Sequence, residues 1–172
     1  TPFVPCGKKN DYPDYLAYLY NNSAIHGAII KRKTKYIYGK GWQIKKEWVG
    51  DRKKLEALIK SINGYQTLNE LSKGIIFERK LYGGAYYLID WGSGATKKPI
   101  SVSRQSYNTV RTDVDCSKFW VSKNWTKEMS PYSRWRNIGA NKIPPDAVEY
   151  PAFDINNKIG KQILFVKDDN PA

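Results

Sequence analysis

The spacing of apolar residues changes once along this chain, at Gly83 and Gly84, and that change constrains the fold more than any other feature. Before it, apolar side chains recur at about 3.6 residues, the period of a helix; after it, they gather in short aromatic and aliphatic runs bounded by polar turns. Helices followed by strands predict an α+β fold, N-terminal helices and then a mostly antiparallel sheet.

The helical half divides readily. Residues 1–13 carry three prolines and read as an extended arm lying on a neighbour or on its own domain. "PDYLAYLYNNS" places Tyr15, Leu16, Tyr18 and Leu19 on a short helix, with Pro13 suited to its first position and Asn21 and Asn22 stopping it. Ser23 is an N-cap for a helix to about Tyr38, with Ile25, Ala28, Ile29 and Tyr36 at helical spacing and Gly39 as its stop. Trp42 and Ile44, alternating with Gln43 and Lys45, predict a short strand. Asp51 caps a third helix bearing Leu55, Leu58, Ile59 and Ile62 on one face, with Gly64 just past its end. Thr67 caps a fourth, with Glu70 at the capping-box position and Leu68, Leu71, Ile75 and Tyr82 in register. The organisation expected is an arm and short helix over 1–22 and an α+β domain over 23–172.

Beyond the glycine pair, "AYYLIDW", "YNTVRTDV", "KFWVSKNW" and "KQILFVKD" read as strands, and residues 126–147 as an irregular basic excursion. Cys6 and Cys116 are the only cysteines, too few for a disulfide scaffold and without metal-ligand spacing. No apolar run approaches the roughly 18 residues of a membrane-spanning helix, and no membrane partner is expected. The N-terminal segment lacks a charged region followed by an apolar one, so no signal peptide is expected there. Beginning at Thr rather than Met, the chain reads as a processed product or as part of something longer.

Lys and Arg number 29 against 16 Asp and Glu, a formal charge of +13. Such a balance favours phosphate polymers or acidic partners, and it says nothing of sequence reading, which needs contacts to base edges. The charge concentrates in "KRKTKYIYGKGW", where Lys31, Arg32, Lys33, Lys35 and Lys40 alternate with Tyr36, Tyr38 and Trp42. From Lys31 to Lys54 only Glu47 and Asp51 oppose the cations, and Tyr36, Tyr38, Trp42 and Trp48 are aromatics able to stack on bases. Lys31, Arg32, Lys33, Lys35 and Lys40 are therefore the candidate nucleic-acid-binding residues. The competing reading is ordinary helix chemistry, cations near a helix C-terminus on a solvated face.

Catalytic chemistry finds little purchase. His26 is the sole histidine, so any histidine-centred metal site or triad would have to be built around it. Asp113 and Asp115 share a face if their strand persists, and Asp168 and Asp169 are adjacent; a metal-dependent nuclease would need such carboxylates to converge from several elements. "YGKGW" and "LYGGAYY" have neither the length nor the context of a phosphate-binding loop. No enzyme, cofactor or metal is expected.

Taken in order, "GKKNDYPDYLAYLYNNSAIHGAIIKRKTKYIYGKGW", a helix pair, "LYGGAYYLIDW" and "QILFVKDDNPA" resemble the N-terminal part of phage portal proteins. The resemblance covers nearly the whole chain and rests on order and spacing more than on any one motif. It implies a portal wing-like fold: a helix, turn and strand at 21–42, a helix running through a glycine turn into the first wing strand at "FERKLYGGAYYLIDW", "PISVSRQSYNTVRT" as the approach to a strand, and a further strand pair at "PPDAVEYPAFD". It also implies a structural, non-enzymatic subunit of a ring, usually a dodecamer, at one capsid vertex of the virion, assembled in the host cytoplasm. DNA enters and leaves through such a ring, with non-specific contact to the duplex. Its other partners are the major capsid protein, the packaging terminase and head-completion or tail adaptor proteins. The family's stem, clip and channel helices follow the wing, and nothing here matches them, so the chain is expected to be a fragment of a longer portal protein. The alternatives are a stand-alone basic nucleic-acid-binding module and a metal-dependent nuclease.

Overall fold

In a computed structural model, residues 2–93, 98–125 and 142–167 are described. Four helices come first: α1 (Tyr12–Asn22), α2 (Ala24–Tyr38), α3 (Arg52–Lys60) and α4 (Leu68–Tyr82). Six strands follow: β1 (Gly84–Asp90), β2 (Ser101–Gln105), β3 (Val110–Thr112), β4 (Lys118–Val121), β5 (Val148–Pro151) and β6 (Lys161–Lys167). The fold is α+β, as the change of period predicts.

Each helix ends where its sequence provides a partner for orphan backbone groups. Ser23 closes α1 and caps α2, its hydroxyl accepting the His26 N–H at 3.3 Å. Asp51 accepts from Lys54 N at 3.1 Å. The capping box at α4 is complete: Thr67 Oγ1 accepts from Glu70 N at 3.1 Å, and Glu70 Oε2 accepts from Thr67 N at 2.8 Å. Gly83, at φ 80°, then turns α4 into β1 through a left-handed conformation that glycine adopts without strain.

β1 is the centre of the molecule. It lies between β2 and β6 in one antiparallel sheet, in the register Leu88 opposite Ser103 and Ile163. β3, β4 and β5 form a second antiparallel sheet, joined to the first by a parallel bridge between Ala152 and Ile163. Side chains alternate across a strand, so Tyr86 and Leu88 face the second sheet while Ala85, Tyr87 and Ile89 face α4. On the first side Tyr86 packs with Val110, Phe119 and Ile163, its ring 4.6 Å from that of Phe165 and 5.8 Å from that of Phe119. On the other, Ala85 packs with Leu71 and Ile75 of α4. A strand covered on both faces needs apolar residues on both, which is why "AYYLI" runs on without polar alternation. Each large side chain so buried contributes roughly 1.5–3 kcal/mol against exposure.

The arm lies on its own chain. Phe3 is buried with Trp120 and Trp125, and Val4 N donates to Thr112 O at the outer edge of β3. Asn10 is pinned by the buried Arg111, whose Nη2 donates to Asn10 O at 2.9 Å and whose Nε donates to Asn10 Oδ1. Arg111 also donates to the carbonyls of Asn108 and Val110, and its guanidinium stands 5.1 Å over the Trp125 ring. Phe3 and Asn10 thus pack against the residues of the second sheet.

Several expectations need correction. Trp42 and Ile44 form no strand, because α4 captures Trp42 at both ends: its backbone N–H donates to Asn69 Oδ1 and its indole N–H to Ser72 Oγ, each at 2.7 Å. α3 stops at Lys60, two residues short of Ile62, since Ser61 turns extended and Ile62 N pairs with Gln66 O. "YNTVRTDV" is a 3-10 turn over Tyr107–Thr109 and then a three-residue strand, while "SVSRQ", read only as an approach, is β2. Residues 126–141 and Asp168 and Asp169 lie outside the described residues.

α2 runs Ala24–Tyr38 as its spacing predicts, and its apolar row of Ile25, Ile29 and Tyr36 points to solvent, with exposures of 76%, 48% and 88%, while Gly27, Ile30 and Thr34 are buried. Gly27 allows this choice: a Cβ there would sit 2.7 Å from the Tyr20 carbonyl oxygen, so α1 crosses α2 closely only because no side chain intervenes.

Candidate nucleic-acid interface

All five candidate cations, Lys31, Arg32, Lys33, Lys35 and Lys40, are exposed, but they do not act as one cluster. A helix advances about 100° per residue, which puts Lys31 and Lys35 on one flank of α2, Arg32 on its outer face and Lys33 on the opposite flank. Lys40 follows in the turn after Gly39.

Lys31 and Lys35 line a groove of about 600 Å³ together with Tyr20 of α1, Thr34, Tyr38 and Gly39 of the α2 end, and Lys73 and Phe77 of α4. None of these described lining residues is a carboxylate. Two of the cations are held against rings: Lys31 Nζ stands 5.7 Å from the Tyr20 ring centre, and Lys73 Nζ 6.0 Å from that of Tyr38. Tyr20 in turn meets Phe77 edge-on at 5.0 Å. Cation–π contact limits the sweep of a long side chain and aims its charge. Thr34 is only 4% exposed, and its Oγ1 has no hydrogen-bond partner.

Lys73 is the member that sequence reasoning missed. It lies more than thirty residues from the basic stretch, in a helix whose pattern reads as core packing, and only the pairing of α2 with α4 brings it alongside. Of the aromatics singled out, Tyr38 faces this groove, Trp42 is tied to α4, and Tyr36 and Trp48 stand in solvent.

Among the described residues, those weighed for catalysis form no cluster. β3 ends at Thr112, so Asp113 and Asp115 do not share a strand face; Asp113 closes the β3–β4 turn, accepting from Ser117 N at 2.7 Å and Lys118 N at 3.2 Å. His26 is half-buried in α2. Among the described residues no group of three His, Cys, Asp or Glu side chains could hold a metal ion, and no helix is long and apolar enough to cross a membrane.

One buried acid was not foreseen. Glu78 of α4 is 2% exposed; its Oε1 accepts from Arg104 Nη1 at 3.2 Å and from Tyr107 N at 3.4 Å, and its Oε2 has no hydrogen-bond partner. Burial pushes its carboxyl up to about 7, against the opposing pull of Arg104 and the Tyr107 N–H. It lies under the sheet, beside Tyr82 and Tyr107, and serves the packing of α4 on β2.

Fold and groove together define an α+β protein with a basic, aromatic-lined helical surface. No known family model matches the chain, and no curated protein matches it.

Proposed function

We propose that this chain is a structural subunit of a phage portal ring, contributing its wing region, and that it works by self-association around a DNA conduit rather than by catalysis. The observation that carries the reading is the outward apolar row of α2. Ile25, Ile29 and Tyr36 lie roughly opposite the buried face, with Arg32 beside them, so the helix carries apolar residues on both sides, the pattern of an element packed between two bodies. α1 adds a second outward row, Tyr12, Tyr15 and Tyr18, at three-residue spacing. Tyrosine and isoleucine in that setting suit a subunit interface, where rings bury large area at low entropic cost. The sequence resemblance to portal proteins supplies the kind of assembly, and the net charge of +13 suits a ring that tolerates passing DNA.

The test is sedimentation velocity with negative-stain imaging of the purified chain. Rings with a central channel are expected, and Tyr36→Glu, whose side chain touches little of its own fold, should shift them to monomer without changing the melting temperature. A chain that stays monomeric at about millimolar concentration would overturn the proposal. The second reading, a stand-alone nucleic-acid-binding module, is favoured by the convergence of Lys31, Lys35 and Lys73, and predicts binding by the monomer.

A further inference from the structure

The groove between α1, α2 and α4 is set about 120° round α2 from the apolar row of that helix assigned to assembly. We infer that this groove is a binding site for single-stranded nucleic acid. The ammonium groups of Lys31, Lys35 and Lys73 hold the phosphodiester backbone, and one base lies against the wall formed by Tyr38 and Phe77.

Three ammonium groups drawn from two helices, with no carboxylate among the described lining residues, repel one another, and an anion seated between them relieves that repulsion. The placement of Lys31 over the Tyr20 ring and of Lys73 over the Tyr38 ring keeps those two charges at the mouth instead of sweeping through solvent. The combination of a cationic rim with aromatic walls is the chemistry by which sequence-tolerant proteins hold single strands, whose unstacked bases offer a free ring face. Size decides against the duplex: a space of about 600 Å³ admits one nucleotide, whereas in a duplex the bases are paired and stacked and only a backbone could touch the rim.

Thr34 adds an independent sign. Its buried hydroxyl lacks a partner, which costs stability in the free protein. Thr34 lines the groove, and a χ1 rotation that turned its hydroxyl into it would let that hydroxyl donate to a phosphate oxygen or base edge.

The experiment uses a fluorescent oligothymidylate of about eight nucleotides and a duplex of the same length, titrated by anisotropy at several salt concentrations. Lys73→Gln is compared with Lys33→Gln, an equal loss of exposed charge on the far flank of α2. Lys73→Gln should weaken single-strand binding about fivefold and reduce the slope of log affinity against log salt by about 0.7, the loss of one phosphate contact, while Lys33→Gln changes affinity less than about twofold. Thr34→Val, which removes only the hydroxyl, should leave the melting temperature equal or higher and still weaken binding. Equal losses for Lys73→Gln and Lys33→Gln, tighter binding of the duplex, or no binding of the single strand would each overturn the site. Ring formation is measured separately on the same samples, so failure of the groove and failure of the portal reading are distinguishable.

Discussion

Glu78→Gln removes a titrating carboxyl from the interface between α4 and β2, and its effect can be worked from the structure. In the folded chain the carboxyl titrates at about 7 against an ordinary value of 4.5, because burial disfavours its charged form. The folded state therefore holds the proton more tightly than the unfolded state. Stability from this group is fully present below the ordinary value and is lost as pH rises through the folded one. At about 1.4 kcal/mol per pH unit of displacement, the loss between about pH 5 and about pH 8 is roughly 2–3 kcal/mol. Glutamine cannot titrate, yet its carbonyl still accepts from Arg104 and the Tyr107 N–H, so the variant resembles the protonated acid. Urea unfolding of both proteins across that range should show the wild type losing roughly 2–3 kcal/mol more than the variant, with the variant the more stable at the alkaline end. Arg104→Met, which takes away the neighbouring positive charge, should move the wild-type step to higher pH. Parallel pH profiles for wild type and Glu78→Gln would refute the argument, because the falling stability would then belong to some other group.

Three further outcomes follow from the packing. Asn10→Ala leaves the buried Arg111 Nε and the Cys6 N–H without their acceptor and places a Cβ-bearing residue without a side-chain amide at φ 57°; it should cost about 2–3 kcal/mol by urea unfolding and speed proteolysis of the arm. Gly27→Ala gains about 1 kcal/mol of helix propensity but drives a methyl against the Tyr20 carbonyl, so the melting temperature should fall, with a net loss of about 1–2 kcal/mol. Thr67→Ala removes one half of the capping box at α4 and should cost about 1 kcal/mol, whereas Thr67→Ser, which keeps the hydroxyl, should stay near wild type; thermal melts separate the two.

Local chemistry was legible where a residue acts on its own neighbours. Ser23, Asp51 and Thr67 with Glu70 marked three helix starts because a cap is made within three or four residues, and Gly83 marked the passage into β1 because a left-handed turn admits glycine without strain. The order of helices and strands, and with it the α+β class, follows from such short-range signals together with the change of period. The charge of the stretch from Lys31 to Lys40 was equally plain.

What needed tertiary structure was every choice between faces and partners. α2 carries apolar residues on two sides, and only the close crossing of α1 at Gly27 decides that Ile30 is buried while Ile25, Ile29 and Tyr36 stand in solvent. Trp42 alternates like a strand residue, yet Asn69 and Ser72, close to thirty residues away, take its two N–H groups and hold it on α4. Glu78 looks like an ordinary surface charge in sequence and becomes buried, paired with the exposed Arg104, because β2 lies across α4. The same long-range packing sets Lys73 beside Lys31 and Lys35. Hydrogen bonds that close within a turn are written in neighbouring residues, but burial depends on which distant surface arrives, and that is settled by the summed contacts of the whole fold.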